Sequence, residues 1–209
     1  TEINNQRSNI EIKNKNLEDA YTVIENYIGK ITDNIQYAQR IQEALMPSLE
    51  SAKPFFSDIF CFYKPKDFVS GDFYWISQKN NKAYFAVADC TGHGVPGALM
   101  SIIGLDMLNQ ALNQQNIIEP NKILDFLNIE LPQKMNISEN ELVLKDSMDI
   151  AICCYDKETM TLSYSGALIP LVICREGLII EEKPSPISIG ISKKVYSKHF
   201  DIKTVKLNN

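Results

Sequence analysis

Apolar residues recur at every seventh position along the first 45 residues, and this spacing constrains the fold more than any other feature of the sequence. The repeat consists of Ile3, Ile10, Leu17, Ile24, Ile31, Ala38 and Leu45. A second row, four residues further along, starts polar and becomes apolar at Tyr21, Ile28 and Ile35. A seven-residue period is typical of a helix that pairs with another helix in a coiled coil, and here the pairing should be firmest in the C-terminal half.

The predicted helix is too long to fold back on one small domain. From about Asn9 to Leu45 it would extend roughly 55 Å, at about 1.5 Å of rise per residue. Pro47 ends the helix, and Pro54 marks the far end of a short linker. We expect residues 1–46 to form a coiled-coil signalling and dimerisation helix, 47–58 a linker and 59–209 a separate domain. The alternative is a helix that packs along its own domain.

After the linker the pattern changes to short β-like runs interrupted by two apolar helices. Strands are predicted at Ile59–Tyr63, Asp72–Ile76 and Ala83–Ala88, then at 148–155, 161–165, 171–174 and 196–207. Helices are predicted at 96–112 and at 119–131, where Pro132 should end the second one, and the polar stretch 136–146 should connect it to the next strand. Strands, two helices and more strands indicate an α+β layered fold with a largely antiparallel sheet.

Composition excludes several classes of protein. The chain has 209 residues, of which 44% are hydrophobic and 22% charged, and this is typical of a soluble globular protein and excludes disorder and collagen. No run reaches the roughly 18 apolar residues of a membrane span, and the N-terminus does not have the basic and then apolar pattern of a signal peptide. We therefore expect a cytoplasmic protein with no membrane span in this chain.

Charge and cysteine spacing narrow the classes of ligand. The net charge is −5 and no cluster of lysine and arginine offsets it, so we do not expect the chain to bind nucleic acid. The five cysteines are odd in number and show no Cys-x-x-Cys spacing. We interpret them as reduced core residues rather than disulfide partners or zinc ligands.

Two aspartates stand at strand boundaries beside glycine. Asp89 ends an apolar strand and is followed by the turn Thr91-Gly92-His93-Gly94, which leads into a buried helix, and Asp72 follows Gly71. This arrangement places carboxylates and backbone N–H groups at the same opening, where they can bind a hard cation and a phosphate together. The alternative is that Asp89 only caps a tight turn whose glycines permit positive φ.

Other phosphate and metal motifs do not fit the same turn. It is not a Walker loop, because no Gly-Lys-Ser/Thr follows, and its glycine spacing does not match the dinucleotide-binding pattern. His93 and His199 are the only histidines, so a histidine-based zinc site is not expected. His93 is either a proton donor or a residue that stabilises the turn.

The segment Asp89–Met100 (DCTGHGVPGALM), preceded by Ser70–Tyr74 (SGDFY), resembles a known family of enzymes. These are the bacterial serine phosphatases related to stage II sporulation protein E, a branch of the metal-dependent protein phosphatase 2C superfamily. Three further segments agree with that family in the same order: Gln39–Pro47, Asp146–Ala151 and Leu162–Leu171. The resemblance covers the chain from about Tyr37 to its C-terminus.

The resemblance implies antiparallel sheets layered with helices as an α-β-β-α sandwich, with two Mn²⁺ or Mg²⁺ ions in a cleft. By the family pattern Asp72, Asp89 and the main-chain carbonyl of Cys90 are metal ligands, and Asp89 bridges the ions as the catalytic carboxylate. The implied reaction is hydrolysis of phosphoserine or phosphothreonine on a regulatory protein partner by metal-activated water. An upstream sensor domain would control it through the N-terminal helix of a homodimer.

The sequence also departs from the family pattern. Members carry two further metal-binding carboxylates downstream, in a Thr-Asp-Gly segment and an Asp-Asp pair, and this sequence reaches Asn209 without either. We therefore expect a C-terminally incomplete domain with a weak or half-filled metal site, and the alternative function is a non-catalytic signalling or binding module. Gly166-Ala167 replaces the Gly-Asp of eukaryotic relatives, so a third metal is not expected. Asp149 either makes a strand-start hydrogen bond or acts in the cleft.

Overall fold

The computed structural model describes residues 2–135, 146–190 and 199–207, and its first element is one long helix. Helix α1 spans Glu2–Leu45, 44 residues, so it begins well before the predicted Asn9. Residues 2–31 are exposed throughout, whereas Ile35, Gln39 and Gln42 are half-buried or buried on one stripe of the helix. The last three turns of α1 therefore pack on the domain, next to helix α2, and the rest of the helix extends away from it.

The domain is built on an antiparallel sheet. Its strands are β1 (Phe73–Lys79), β2 (Lys82–Cys90), β3 (Met148–Asp156), β4 (Thr161–Ala167) and β7 (Lys203–Lys206), in the order β1-β2-β3-β4-β7. The strands β5 (Leu171–Arg175) and β6 (Leu178–Glu182) pair with each other as a separate hairpin. Two helices, α2 (Gly94–Asn109) and α3 (Pro120–Lys134), lie between β2 and β3 in the chain. The predicted α+β fold with antiparallel sheets is confirmed.

The main core lies between one face of this sheet and the two helices. Tyr84 and Ile150 of the sheet pack with Met107, Leu108 and Leu124 of the helices, and all five are 0% exposed. Because α2 is apolar on every side, residues 94–114 are long and apolar enough to cross a membrane, but 56% of that segment is buried inside the domain. A core helix of a soluble protein has the same properties.

The opposite face of the sheet carries a smaller apolar cluster near the end of the 47–58 segment. Phe56 packs against Phe85 and Tyr155, with ring centroids 5.7 and 5.4 Å apart. Residues Leu49–Ala52 form one short 3₁₀ turn, and Ala52 is buried. The segment that follows α1 is thus in contact with the domain along part of its length.

The structure corrects several predicted boundaries. Residues Ile59–Tyr63 do not form a strand, because no neighbouring strand in the described part of the chain pairs with their backbone. Phe60 and Phe62 are each 86% exposed. Helix α2 begins at Gly94, and α3 continues past Pro132 to Lys134, since a proline near the end of a helix removes only one backbone bond.

Three further segments differ from the prediction or lie outside the described residues. Strand β6 was not predicted, because its run Leu178–Glu182 has no alternating polar pattern. Of the strand predicted at 196–207, only Lys203–Lys206 is observed, and residues 196–198 lie outside the described residues, as does most of the polar stretch 136–146. Cys61 and Cys174 are exposed, whereas the other three cysteines are buried as predicted.

Candidate metal centre

The sheet register places three aspartates in one row. Phe73 pairs with Ala88, so Asp72, immediately before β1, lies opposite Asp89 at the end of β2. Asp89 in turn pairs with Asp149 at the start of β3. Because residues opposite each other in adjacent strands point to the same face, all three carboxylates belong to the face that does not carry the helices.

The Asp72 carboxylate is close enough to Asp89 to affect the pKa of the Asp89 carboxyl. Partial burial, and after it the negative charge and side-chain hydrogen bond of Asp72, raise the pKa of Asp89 above its ordinary value. Within the described ranges neither carboxylate forms an ion pair with a lysine, arginine or histidine. Two adjacent carboxylates without a protein cation are an arrangement that a divalent cation would stabilise.

Glycines allow three backbone segments to meet beside these aspartates. A side chain on Gly71 would place its Cβ 2.7 Å from the carbonyl oxygen of Cys90 and 2.9 Å from that of Gly92. A side chain on Gly97, in the first turn of α2, would lie 2.6 Å from the Gly92 oxygen and 3.0 Å from the Gly71 Cα. Gly92 and Gly94 have φ values of +98° and +64°, which favour glycine. The glycine-rich turn is therefore required by close approach and by positive φ, as the alternative interpretation of this segment expected.

Cys90 offers its backbone rather than its thiol. The side chain is 2% exposed in the main core, and burial, with smaller contributions from Asp89, Asp72 and Asp149, raises the pKa of the thiol to about 12. The thiol is therefore protonated near neutral pH and is not available as a thiolate ligand. The backbone N–H of Cys90 donates to the Gly71 carbonyl at 3.3 Å, which ties the end of β2 to the residue before Asp72.

A cleft of about 340 Å³ opens on the row of aspartates. Its lining includes Asp72 and Asp89 and the segment 61–64. The Tyr63 hydroxyl donates to the Asp72 carbonyl at 3.3 Å, and its ring meets Tyr74 edge to face at 6.2 Å. Helix α2 starts at the same end of β2 without a side-chain cap, so the positive end of its dipole faces the region beside Asp89.

Hydrogen bonds with serine residues of other segments hold Asp149, the third aspartate, and the loop after Asp89. Asp149 accepts a hydrogen bond from the Ser188 hydroxyl, which agrees with the predicted strand-start hydrogen bond. The backbone N–H of Thr91 donates to the Ser147 carbonyl at 2.9 Å, and the two hydroxyls lie 2.7 Å apart. His93 is mainly exposed and its Nδ1 lies 3.4 Å from Asp67, outside the row of aspartates.

Sequence reasoning missed Gln42, the one buried residue of α1, which hydrogen-bonds to the loop before Asp72. The signal was present in the heptad pattern: after Tyr21, Ile28 and Ile35, the next position of the second row is a glutamine. A polar residue in an apolar row indicates a specific polar partner. The sequence could not identify that partner, which lies 28 residues further along the chain.

The residues fit a divalent cation, but as a small ligand set. Asp72, Asp89 and the Cys90 carbonyl supply oxygen atoms, which Mn²⁺ and Mg²⁺ prefer. Across residues 2–135, 146–190 and 199–207, no group of three or more His, Cys, Asp or Glu side chains is arranged to hold a metal ion. The described part of the site therefore supplies two carboxylates.

Comparison with solved structures shows the same fold in known phosphatase domains. The SiaA-PP2C domain of Pseudomonas aeruginosa is similar with a TM-score of 0.74 and 27% sequence identity, covering 86% of this chain and 68% of that one. The PP2C phosphatase domain of SpoIIE from Bacillus subtilis, with a fragment of its regulatory domain, gives a TM-score of 0.52 at 19% identity and covers 67% and 38%. The RsbU and RsbW domains of Rv1364c from Mycobacterium tuberculosis give 0.51 at 16% identity and cover 68% and 37%.

Comparison of sequences gives the family. No curated protein matches the chain significantly. The profile of stage II sporulation protein E (SpoIIE) matches residues 79–209, which include Asp89 and Cys90 but begin after Asp72. Because this match covers more than half of the 209 residues, the chain belongs to the SpoIIE family of PP2C phosphatase domains.

Proposed function

We propose that the domain hydrolyses phosphoserine or phosphothreonine on a regulatory protein partner, with Mn²⁺ or Mg²⁺ as cofactor. The observation that carries the proposal is the Asp72–Asp89 pair, two adjacent carboxylates without a cationic partner among the described residues, at the mouth of a cleft. Membership of the SpoIIE family supports the reaction class. We retain the division into a helix at 1–46, a linker at 47–58 and a phosphatase domain at 59–209, in a cytoplasmic protein.

Asp72, Asp89 and the Cys90 carbonyl would hold the metal ions, and Asp89 is the proposed catalytic carboxylate. The bound ions would supply a hydroxide for attack on phosphorus and positive charge to stabilise the phosphoryl oxygens. The chain itself contributes the positive end of the α2 dipole and the close backbone packing at Gly71, Gly92 and Gly97. Lys64, which also lines the cleft, supplies a positive charge that favours entry of a phosphorylated side chain.

The N-terminal helix is proposed to dimerise and to connect the domain with an upstream sensor. The support is the exposed apolar seam: Ile24, Ile28 and Ile31 are 52%, 57% and 57% exposed on a helix that extends away from the domain. Among the structural neighbours, one combines RsbU with RsbW domains, and another is described as part of the bacterial stressosome. These names support a signalling role for the present chain.

A phosphatase assay tests the proposal. The chain is incubated with phosphoserine and phosphothreonine peptides in millimolar Mn²⁺, and released phosphate is measured with and without EDTA. Metal-dependent release that disappears in Asp72→Asn and Asp89→Asn supports the enzyme. The matched control is Asp106→Asn, which changes an exposed carboxylate on the far part of α2, paired with Lys134 at 2.8 Å.

The second candidate is a non-catalytic signalling or binding module, favoured by the small ligand set of the described residues. The enzyme and the module predict different phosphate release but the same dimerisation. A chain that dimerises but releases no phosphate at millimolar Mn²⁺, from either peptide, would support the module and contradict the enzyme.

A further inference from the structure

A single glutamine connects the long helix to the loop that carries Asp72. Gln42 is 3% exposed, whereas the other residues of α1 are at least partly accessible. Its Nε2 donates to the Ser70 carbonyl at 2.6 Å, and its Oε1 accepts from the Ser70 N–H at 3.1 Å. The side-chain amide thus pairs with both backbone groups of Ser70, as a neighbouring strand would.

The same amide also reaches helix α2. Its Nε2 donates to the Ser101 hydroxyl at 2.7 Å, and that hydroxyl donates to the Ala98 carbonyl at 2.8 Å. Both N–H donors of Gln42 and its oxygen are therefore used. Ser101 is 0% exposed, so the groups that contact Gln42 have no access to water if the glutamine is removed.

The loop that Gln42 holds leads directly to the candidate metal ligand. The Ser70 hydroxyl accepts from the Asp72 N–H at 3.0 Å, so the contact with Ser70 extends to the backbone of Asp72. Gly71, between them, is fixed from two other sides, by the Cys90 N–H and by close packing against Gly97. The Tyr63 hydroxyl also donates to the Asp72 carbonyl, at 3.3 Å. Displacement of α1 would therefore release one of several attachments of this loop, the one at Ser70.

We propose that Gln42 is a positioning residue through which helix α1 sets the Ser70–Asp72 loop, and with it the distance of the Asp72 carboxylate from Asp89. This inference rests on the proposed function, because it assigns to Asp72 and Asp89 a shared cation. It also gives the helix a physical route to the site, because rotation or withdrawal of α1 would break the hydrogen bonds of Gln42 to Ser70.

The test compares Gln42→Leu with Gln39→Leu in the full chain. Leucine at position 42 has a side-chain volume near that of glutamine, but it cannot form any of the three hydrogen bonds. Gln39 is one turn away on the same stripe, but its amide donates to Glu43 on α1 itself, at 2.8 Å, so it is the matched control. Ser101→Ala is the milder variant, which removes one contact and leaves the two to Ser70.

Two readouts are used, and neither requires turnover. We expect hydrogen exchange of the 70–72 backbone amides to be about tenfold faster in Gln42→Leu, the factor that corresponds to one net hydrogen bond. We expect Mn²⁺ affinity, measured from the electron paramagnetic resonance of the free ion, to fall by about tenfold, as for groups that orient metal ligands. Ser101→Ala should shift both quantities in the same direction by less, and Gln39→Leu should shift neither.

Several outcomes would overturn the inference. Unchanged exchange at residues 70–72 in Gln42→Leu would show that the glutamine does not hold the loop. Faster exchange with unchanged Mn²⁺ affinity would show that the loop does not position Asp72 for a cation. Equal shifts in Gln39→Leu would reduce the effect to general loosening of α1. Absence of phosphatase activity in every variant would contradict the proposed function alone, because exchange and Mn²⁺ binding are measured without substrate.

Discussion

At the scale of single residues, the properties of the site depend on what balances the negative charge of Asp72 and Asp89. Partial burial and the neighbouring Asp72 raise the pKa of Asp89, because the negative charge of Asp89 is poorly solvated and is repelled by that of Asp72 when no cation is bound. Such an arrangement lowers the stability of the cation-free protein and increases affinity for a cation. The negative charge of Asp89 therefore favours cation binding but lowers the stability of the cation-free protein.

The variant Asp89→Asn should separate the effect of this charge on activity from its effect on stability. We expect Mn²⁺-dependent phosphate release at millimolar Mn²⁺ to fall by at least about 100-fold, the order of loss when one preorganised electrostatic group is removed. The midpoint of thermal unfolding without metal should stay the same or rise, because a repulsive charge is lost and no core contact changes. Wild-type phosphate release by Asp89→Asn, or a large fall in its unfolding midpoint, would contradict the assignment.

The sequence predicted Asp72 and Asp89 together because both motifs are local: each consists of an aspartate, a glycine and a strand end within a few residues. The contacts that hold them are not local. Gln42 reaches Ser70 across 28 residues, and Ser188 reaches Asp149 across 39. A glutamine or serine has the same appearance in the sequence whether its partner is water or a buried backbone group, so these residues could not be identified from the sequence.

At the scale of elements, the tight turn between β3 and β4 depends on one carboxylate. Oδ1 of Asp156 accepts from the backbone N–H groups of Glu158 and Thr159, at 2.9 and 3.2 Å, and Oδ2 lies 3.0 Å from Nζ of Lys82 on β2. The hydrogen bond from Lys82, and after it the backbone N–H groups, lower the pKa of Asp156. One side chain thus links three strands at the end opposite the candidate metal centre.

Asp156→Ala should destabilise the domain by about 1–2 kcal/mol, mainly through the net loss of the two hydrogen bonds to the turn backbone, since the partly exposed ion pair adds little. Because its pKa is lower in the folded state than in the unfolded chain, Asp156 stabilises the fold above the ordinary carboxyl pKa, and this contribution is lost as the pH falls through the folded value. Urea unfolding at neutral and acidic pH measures both effects. Glu158→Ala, whose carboxylate accepts only from the Asn81 side chain among the described residues, is the control and should change little at either pH.

The helix α1 is the second element with a testable property. Ile24, Ile28, Ile31 and Ile35 form the seam that we expect to make a parallel dimer. In the structure Ile35 is half-buried on the stripe that packs on the domain, whereas the other three are exposed. The free part of the seam therefore ends at Ile31, one turn earlier than the sequence indicates.

Sedimentation should show a dimer at micromolar concentration that is lost in Ile24→Asp/Ile28→Asp. Two charges in the seam would be desolvated and repel each other on pairing. The control, Asn26→Asp/Lys30→Gln, makes the same change in net charge on the opposite face of the helix and should remain dimeric. A wild-type monomer at high micromolar concentration, or equal dissociation in both variants, would contradict the coiled-coil dimer.

At the scale of the whole molecule, the strength of metal binding depends on how many carboxylates the fold brings together. Among the residues that the structure describes, the site has two carboxylates, which carry −2 against the +4 of two divalent cations, and Asp149 is engaged by Ser188. We therefore expect the 209-residue chain to bind Mn²⁺ weakly and to release phosphate slowly or not at all at micromolar Mn²⁺. Calorimetric titration measures this; two Mn²⁺ ions bound per chain with micromolar affinity would contradict it.

The sequence by itself determined the features that depend on neighbouring residues. The seven-residue period predicted the long helix, the apolar runs predicted most of the strands, and the Ser70–Tyr74 and Asp89–Met100 segments led to the family and to the proposed ligands. These signals are available because helix periodicity, turn formation and the order of motif residues are properties of short stretches of chain.

Only the tertiary structure decided which of these stretches meet. It left Ile59–Tyr63 without a strand partner, packed the last turns of α1 on the domain, and placed Asp72, Asp89 and Asp149 in one row through the register of β1, β2 and β3. It also buried Gln42 between Ser70 and Ser101. Strand partners and buried hydrogen bonds join residues far apart in the chain, so the free energy that selects them comes from packing the whole domain and has no local pattern in the sequence.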